Sequence, residues 1–312
     1  RPLVSALIHD MFGATLMPKR TPASSCAFIV GAASMAAARI SRAFFIVLGL
    51  LFTTTKGNVL IFRSSKTVLF TAILFVTACT EAGHTDVPID DVPLHVEIGR
   101  LDQDLFHAAP DSMQAMSRKA YADYGEFYRI YIDDILQGAP IEDPRLTLVL
   151  GRFVNDADWS STQHAVDSVL GDLEPQRVQF EDAFKRLKAL FPDSLTPQII
   201  TFNSGFNYGI YPTDSVLGVG TEWFIGKDHP VIGYLAPDAF PQYVKDRMQP
   251  EMLVPSAVKG WLLVHYTKDI GGADLLTNLV EVGKVLALLD RLLPDTDPAL
   301  KFAFSKEQLA WC

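Results

Sequence analysis

The sequence predicts an α+β fold that is mostly helical and contains a small β-sheet. Segments with apolar residues at helical spacing fill most of the chain beyond residue 110. Three short extended segments, separated by Gly, Asn and Ser, lie between two helical blocks. The first 78 residues differ in composition, because they hold one acidic residue, Asp10, against eight basic ones. One α+β domain is therefore predicted for residues 94–312, with helix, sheet and helix in that order.

The first helical block is predicted from an alternating segment and four amphipathic ones. Residues 94–101 alternate and predict a short strand, followed by a turn at Asp102 and Asp104. A long helix is predicted from Asp111 to Gly138, with an aromatic stripe interpreted as core packing. Further helices are predicted at residues 144–154, 162–170 and 175–190.

The pattern changes at Pro197, where the predicted sheet begins. Strands are predicted at residues 198–202, 206–211 and 215–220, with a turn at Asn203-Ser204-Gly205 between the first two. A second helical block follows, with helices predicted at residues 242–248, 256–266 and 274–293 and another beginning after Ser305.

Charge and cysteine content exclude several classes of protein. From Cys79 onward the chain holds 19 of the 27 basic and 35 of the 36 acidic residues, which gives a net charge of −16. Such a surface repels phosphate backbones, so no nucleic-acid partner is expected. The three cysteines, Cys26, Cys79 and Cys312, are too few and too far apart for a disulfide framework or a zinc site of cysteines.

A bacterial lipoprotein signal precedes Cys79. The apolar run 67–75 follows the basic residues Arg63 and Lys66 and leads into Val76-Thr77-Ala78-Cys79, which resembles a lipobox. We therefore expect a signal peptide at residues 59–78, cleavage between Ala78 and Cys79, and lipidation of the Cys79 thiol. The alternative is a buried apolar strand with a chance cysteine.

The segments on either side of this signal have different expected roles. Residues 79–93 are rich in polar residues, Gly and Pro and are predicted to be a flexible tether. Thr80, rather than Asp, follows the lipidated cysteine, so resemblance to lipoprotein sorting implies the outer membrane, on its periplasmic face. Residues 1–58 are interpreted as a disordered over-extension of translation upstream of the true start. The alternative is an additional membrane segment, since residues 43–52 are apolar though short.

No catalytic or metal-binding motif is found, so catalytic residues, metal ligands and cofactors are all predicted to be absent. No histidine is followed by Glu in an H-E-x-x-H pattern, and His265 is interpreted as an ordinary helical histidine. Ser204 does not lie in a G-x-S-x-G elbow. The neighbouring carboxylates Asp133-Asp134 and Glu181-Asp182 are interpreted as solvated helix faces.

The turn after the first strand of the sheet is a candidate binding site. It could form a groove for a peptide or a glycan, or it could be an ordinary hairpin that packs its aromatic residues. Its residues are Ser204, Gly205, Phe206, Asn207, Tyr208 and Gly209.

The same turn carries a resemblance to a known family. The run Phe202-Asn203-Ser204-Gly205-Phe206-Asn207-Tyr208-Gly209 resembles the gliding motility lipoprotein GldB family of Bacteroidetes. Further pieces agree in order: the lipobox, Arg100-Leu101-Asp102, Glu222-Trp223-Phe224-Ile225-Gly226, Asp228-His229-Pro230, Pro241-Gln242-Tyr243-Val244, Pro250-Glu251, Gly283-Lys284, and Gln308-Leu309-Ala310-Trp311-Cys312. Family members continue past the Trp-Cys pair, which implies that this chain is truncated at its carboxyl end.

The resemblance implies a function and a distant structural relationship. It implies a lipid-anchored accessory protein of gliding motility or the associated secretion machinery, whose partners are the membrane and other envelope proteins. The family is similar to zincin-type peptidases, which implies a zincin-like core. Active relatives carry a histidine pair and a Glu-Gly ligand; here the helix at 256–266 lacks the pair and Val282 precedes Gly283. We therefore expect a non-catalytic protein. The alternatives are a zinc-dependent metallopeptidase and a peptide- or glycan-binding envelope protein.

Overall fold

The computed structural model describes residues 87–268 and 274–311. The predicted signal peptide, Ala78, Cys79 and the first part of the tether lie outside the described residues. Residues 87–309 belong to one compact unit, which contains the whole sheet. Among the described residues, none of the helices combines the length and the apolar character that crossing a bilayer requires.

The sheet has four strands in the order β1-β2-β4-β3. Strands β1, β2 and β4 run parallel, and β3 pairs antiparallel with β4 at the far edge. The carboxyl ends of three parallel strands therefore meet at one edge of the sheet. The strands are β1 (Ile98–Arg100), β2 (Gln198–Phe202), β3 (Ile210–Pro212) and β4 (Val216–Gly220).

The helices form two blocks in sequence. The first block comprises α1 (Leu101–Phe106), α2 (Met113–Tyr124), α3 (Glu126–Ile130), α4 (Leu146–Asn155), α5 (Ala157–Leu170) and α6 (Glu174–Leu190). The second comprises α7 (Pro230–Tyr234), α8 (Gln242–Lys245), α9 (Leu253–His265), α10 (Leu275–Leu292), α11 (Pro298–Phe302) and α12 (Lys306–Trp311). Short 3₁₀ helices lie at Pro110–Ser112, Thr221–Phe224 and Pro250–Met252. The predicted α+β class, mostly helical with a small sheet, is confirmed.

The first strand is shorter than predicted, and the predicted turn at Asp102 and Asp104 is wrong. Only Ile98–Arg100 pairs with β2, and the chain turns into α1 at Leu101. Both aspartates lie in the first turn of this helix, where a carboxylate interacts favourably with the exposed N–H groups. The acidic pair therefore marked a helix start.

The predicted long helix is interrupted at Gly125. This residue has φ +54°, a conformation that costs glycine little and other residues more, and it separates α2 from α3. A π-helical turn, Tyr131–Leu136, follows α3, and the helix ends at Gln137 with φ +52°. The aromatic stripe is nevertheless core, because Tyr128 and Tyr131 are fully buried.

The other predicted boundaries differ by smaller amounts. Strand β2 was predicted correctly, while residues 206–211 are not one extended piece, since only Ile210–Pro212 forms a strand. Because β4 lies between β2 and β3, the turn after β2 does not join the two strands of a hairpin. Helix α5 begins at Ala157, five residues earlier than predicted. The Asp156 carboxylate caps it by accepting hydrogen bonds from the backbone N–H groups of Asp158 and Trp159. Helix α8 is shorter than predicted, and α9 begins earlier.

Each face of the sheet is covered by its own apolar cluster. Ile199 of β2 belongs to a cluster with the second helical block and α6, including Trp261. Ile200 and Phe202 belong to a cluster with the first block, including Tyr131. Alternate residues of a strand point to opposite faces, so β2 contributes to both clusters. The sheet is therefore buried between two helical layers.

Gly220, at the end of β4, allows a close approach of two backbone segments. A β-carbon at this position would lie 2.2 Å from the carbonyl oxygen of Tyr208, and the Gly220 N–H donates to Gly209 O at 2.8 Å. The chain after β2 is thus held against the end of β4. This contact needs glycine for space rather than for backbone conformation.

We predict that Gly220→Ala destabilises the fold by about 3 kcal/mol, because the backbone must move to relieve the overlap. Gly283→Ala is the matched control, since a β-carbon there meets no atom within 4 Å in α10. It should stabilise the protein by up to about 1 kcal/mol through helix propensity. Urea unfolding monitored by circular dichroism measures both; equal midpoints for the two variants would contradict the packing argument.

Candidate functional site at the carboxyl ends of the parallel strands

Asp102 is a buried carboxylate at the edge where the parallel strands end. Its two oxygens accept hydrogen bonds from the Arg100 guanidinium, Nε to Oδ1 at 3.0 Å and Nη2 to Oδ2 at 2.9 Å. The Thr201 hydroxyl donates to Oδ1 at 2.6 Å. A bidentate pair of this kind compensates the desolvation of both charges. The hydrogen bond from Thr201 joins the start of α1, just after β1, to the end of β2.

Amide and hydroxyl side chains extend this network. Gln163 of α5 donates to Asp102 Oδ2 at 3.3 Å and accepts from the Asn203 side-chain amide at 3.1 Å. The Thr221 hydroxyl, just after β4, donates to Phe202 O at 3.1 Å. Asn203 O in turn accepts from the buried Tyr131 hydroxyl at 2.8 Å. The first helical block and all three parallel strands therefore meet in one polar cluster.

The cluster reaches the surface through Asp167. The Asp167 carboxylate accepts from the side-chain amides of Gln103 at 3.0 Å and Gln163 at 3.3 Å. Its other oxygen lies 2.8 Å from Nε2 of His107, which is exposed. A continuous chain of hydrogen-bonded side chains thus runs from the exposed imidazole to Asn203.

Glu222 is a second buried carboxylate, and it holds the turn after β2. Its Oε1 accepts three hydrogen bonds, from Ser204 N at 2.8 Å, Ser204 Oγ at 2.6 Å and Phe206 N at 3.2 Å. Its Oε2 is buried and has no hydrogen-bond partner in the described part of the chain. Burial raises the pKa of Glu222 to about 7, although the hydrogen bonds from Ser204 and Phe206 oppose that rise.

The candidate binding turn is mostly buried. Ser204, Phe206 and Gly209 are buried, Gly205 and Tyr208 are partly buried, and Asn207 is exposed. The Phe206 ring lies among three other aromatic rings, those of Trp159, Trp223 and Phe240, at centroid distances of 6.1 to 6.4 Å. These contacts describe an aromatic cluster beneath the turn. Binding of a peptide or glycan at the turn stays a prediction.

The hydrogen bonds around Glu222 and Ser204 hold the backbone of the turn after β2 in place. Most of the side-chain oxygen atoms in this network already accept hydrogen bonds from the protein. Ser204 Oγ donates to Glu222 and accepts from Tyr208 N at 3.0 Å. Within residues 87–268 and 274–311, no three His, Cys, Asp or Glu side chains are placed to hold a metal ion. His265 contacts the carbonyl oxygen of Thr213 at 2.9 Å and packs on Trp261 with a centroid distance of 3.7 Å.

The interpretation of Glu181 and Asp133 as solvated residues is wrong. Glu181 accepts from Lys185 Nζ at 2.8 Å, Arg177 Nη1 at 2.8 Å and Val96 N at 3.2 Å. The hydrogen bond from Lys185 is the largest cause that lowers the pKa of Glu181 to about 2, against the effect of burial. The Asp133 carboxylate accepts from Ile141 N at 2.9 Å. Both carboxylates instead tie their helices to neighbouring segments.

Sequence reasoning missed both buried carboxylates as structural centres. Asp102 was assigned to a turn, and Glu222 appeared only within a motif of the resemblance. Apart from Arg100, the donors named here are far away in sequence, 99 residues for Thr201 and 18 for Ser204. A usable signal was present at Glu222, a lone acidic residue between the apolar strand β4 and Trp223-Phe224-Ile225. An acid in such a context is more often buried with partners than solvated.

We predict that Asp102→Asn lowers the free energy of unfolding by about 3 kcal/mol, because it leaves the Arg100 guanidinium without its counter-charge. The exposed Asp111→Asn is the matched control and should change stability by less than about 0.5 kcal/mol. Chemical denaturation of both variants measures the difference. A loss at Asp102 no larger than that at Asp111 would show that the Asp102 carboxylate does not hold the strand ends together.

Glu222→Gln should flatten the pH dependence of stability. The folded pKa of about 7 lies above the ordinary 4.5, so the folded state binds more protons between these values and this contribution is lost as pH rises through 7. We therefore expect the unfolding free energy of wild type, relative to Glu222→Gln, to fall by about 2 to 3 kcal/mol from pH 5 to pH 8.

Urea titrations at both pH values measure this difference, with the exposed Glu97→Gln as the control. The Gln side-chain oxygen can still accept from Ser204 and Phe206, so the turn is expected to persist. A wild-type to variant difference that is the same at pH 5 and pH 8 would rule out proton uptake by Glu222 in this range.

Comparison with known proteins gives one match. No curated protein and no solved structure matches the chain. A family model described as gliding motility protein GldB matches residues 83–312, which is well over half of the chain and includes every strand and helix among the described residues. The resemblance drawn from the sequence motifs is confirmed, and the chain belongs to the gliding motility protein GldB family.

Proposed function

We propose that this protein is a lipid-anchored accessory protein of the cell envelope, required for gliding motility or the associated protein secretion machinery, and that it acts by binding and not by catalysis. The family match over residues 83–312 carries the proposal. Membership of that family implies a gliding motility lipoprotein. The proposal also covers which membrane holds the protein, which face it occupies and how it acts.

The proposed anchor is the Cys79 thiol. The matched region begins at residue 83, just after the lipobox Val76-Thr77-Ala78-Cys79. The residues that the structure describes begin at Val87, eight positions after the proposed anchor. Two or more acyl chains give stable membrane attachment where one does not. We place the protein in the outer membrane, facing the periplasm, because Thr80 and not Asp follows Cys79.

The side chains of α9 and α10 support a role in binding. If the core is zincin-like, these are the helices that would carry the metal ligands of an active peptidase. Helix α9 holds one histidine, His265, whose Nε2 contacts Thr213 O at 2.9 Å. In α10 Glu281 accepts from Lys284 Nζ at 2.5 Å and from Lys268 N at 3.3 Å. These groups hold their own loops and helices. The zincin-like core stays a prediction, and the partners proposed here are other envelope proteins of the gliding or secretion machinery.

The anchor is tested by intact mass and membrane fractionation of the expressed full gene. For wild type we expect an amino terminus at Cys79 that carries acyl mass, and recovery in the outer-membrane fraction. Cys79→Ala should abolish processing, acylation and gliding, because the acceptor thiol is gone. Cys26→Ala, a cysteine upstream of the proposed signal, is the matched control and should behave as wild type.

Two results would contradict the proposal in different ways. Retention of residues 1–78 in wild type would show that the lipobox is not used and that another segment attaches the protein. Correct lipidation together with normal gliding and secretion in a deletion strain would keep the anchor and refute the accessory role.

A further inference from the structure

An open cavity of about 480 Å³ lies between two loops of the second helical block. One wall is the segment 225–230, which follows the 3₁₀ helix Thr221–Phe224. The other wall is Gln249-Pro250-Glu251. The Gly226 N–H donates to Met248 O at 2.9 Å and so connects the two walls. The volume of this cavity lies within the range of pockets that bind small molecules.

Three side chains that line the cavity carry full charges. Lys227, Asp228 and Glu251 are all exposed, so their charged groups are open to a ligand. None of the three forms an ion pair or a side-chain hydrogen bond within residues 87–268 and 274–311. One ammonium and two carboxylates therefore line the same cavity without neutralising each other.

Two further polar side chains of the lining are half-buried, and each has one atom bonded to the protein and another left over. Nδ1 of His229 accepts from Val231 N at 3.4 Å, which assigns the proton of the neutral ring to Nε2. Nε2 of Gln249 donates to Asp246 O at 2.6 Å, which leaves Oε1 as an acceptor. In the described part of the chain, neither His229 Nε2 nor Gln249 Oε1 has a hydrogen-bond partner.

The chemistry of the lining selects among classes of ligand. A doubly charged phosphate is disfavoured, because two carboxylates oppose the one ammonium. A simple cation would pair with the carboxylates but would be repelled by Lys227. An uncharged ligand would take water from the charged groups without supplying a counter-charge. A ligand that carries both an ammonium and a carboxylate supplies a partner for each charge.

We propose that this cavity binds a zwitterion with an ammonium and a carboxylate, either a free amino acid or a short peptide. Asp228 and Glu251 accept from the ammonium, and Lys227 and His229 donate to the carboxylate. Gln249 Oε1 adds a neutral acceptor for the ammonium or for a peptide N–H. This binding does not rest on the Cys79 anchor or on the role in gliding, so it can fail while both of those proposals stand.

The site is tested by isothermal titration calorimetry of the full chain, extracted from membranes in detergent, with alanyl-alanine as the probe. We expect saturable binding of this dipeptide. N-acetyl-alanyl-alanine lacks the ammonium and alanyl-alanine amide lacks the carboxylate, so each should bind about tenfold more weakly or worse. Free alanine distinguishes the sources: binding at least as tight as that of the dipeptide assigns the site to amino acids, and weaker binding assigns it to peptides.

Two variants test the residues. Glu251→Gln and Lys227→Met should each weaken dipeptide binding about tenfold, with little change in melting temperature because both side chains are exposed. Glu97→Gln and Lys306→Met are the matched controls, since both residues are exposed and lie outside this cavity, and they should keep wild-type affinity.

Four results would overturn the proposal. The first is that neither alanyl-alanine nor alanine binds. The second is that the acetylated or the amidated dipeptide binds as tightly as alanyl-alanine. The third is that maltose, an uncharged ligand rich in hydroxyl groups, binds equally well. The fourth is that Glu251→Gln and Lys227→Met retain wild-type affinity.

Discussion

The fold depends on the burial of the Asp102 carboxylate. A charge removed from water must be met by donors, and here those donors come from Arg100, Thr201 and Gln163. They belong to the end of β1, the end of β2 and the middle of α5. Satisfying one carboxylate therefore fixes the relative position of three segments that are distant in sequence. The rest of the strand-end region, including Asn203 and the turn after it, is built on that arrangement.

Glu222 is also a buried carboxylate that positions a neighbouring segment, but its hydrogen-bond donors are of a different kind. Its three donors all reach Oε1, while Oε2 is left without a partner in the region that the structure describes. Asp102 is compensated by a full positive charge, whereas Glu222 is held by backbone and hydroxyl donors alone. The two carboxylates thus differ in the kind of donor that holds them. The turn Ser204 to Gly209, the most recognisable motif of the sequence, is positioned by Glu222.

The sequence correctly predicted several helices and one strand, which depend on local apolar patterns. It did not predict the features that depend on contacts between residues distant in sequence. Helices α4, α6 and α10 and strand β2 were predicted to within two residues, because apolar periodicity reports which face is buried. The insertion of β4 between β2 and β3 could not be seen, since strand order depends on nonlocal pairing. The partners of Asp102 and of Glu181 were hidden for the same reason.

Strand β1 is the first strand after the proposed anchor at Cys79. In a chain held at Cys79, as we propose, a pull on the anchor would reach β1 before the rest of the sheet. β1 is an edge strand that pairs with β2 in parallel over three residues. The bond from Val96 N to Glu181 and the Arg100 clamp on Asp102 lie at either end of this short strand. The short strand β1 is therefore fixed at both ends by side chains that carry charge.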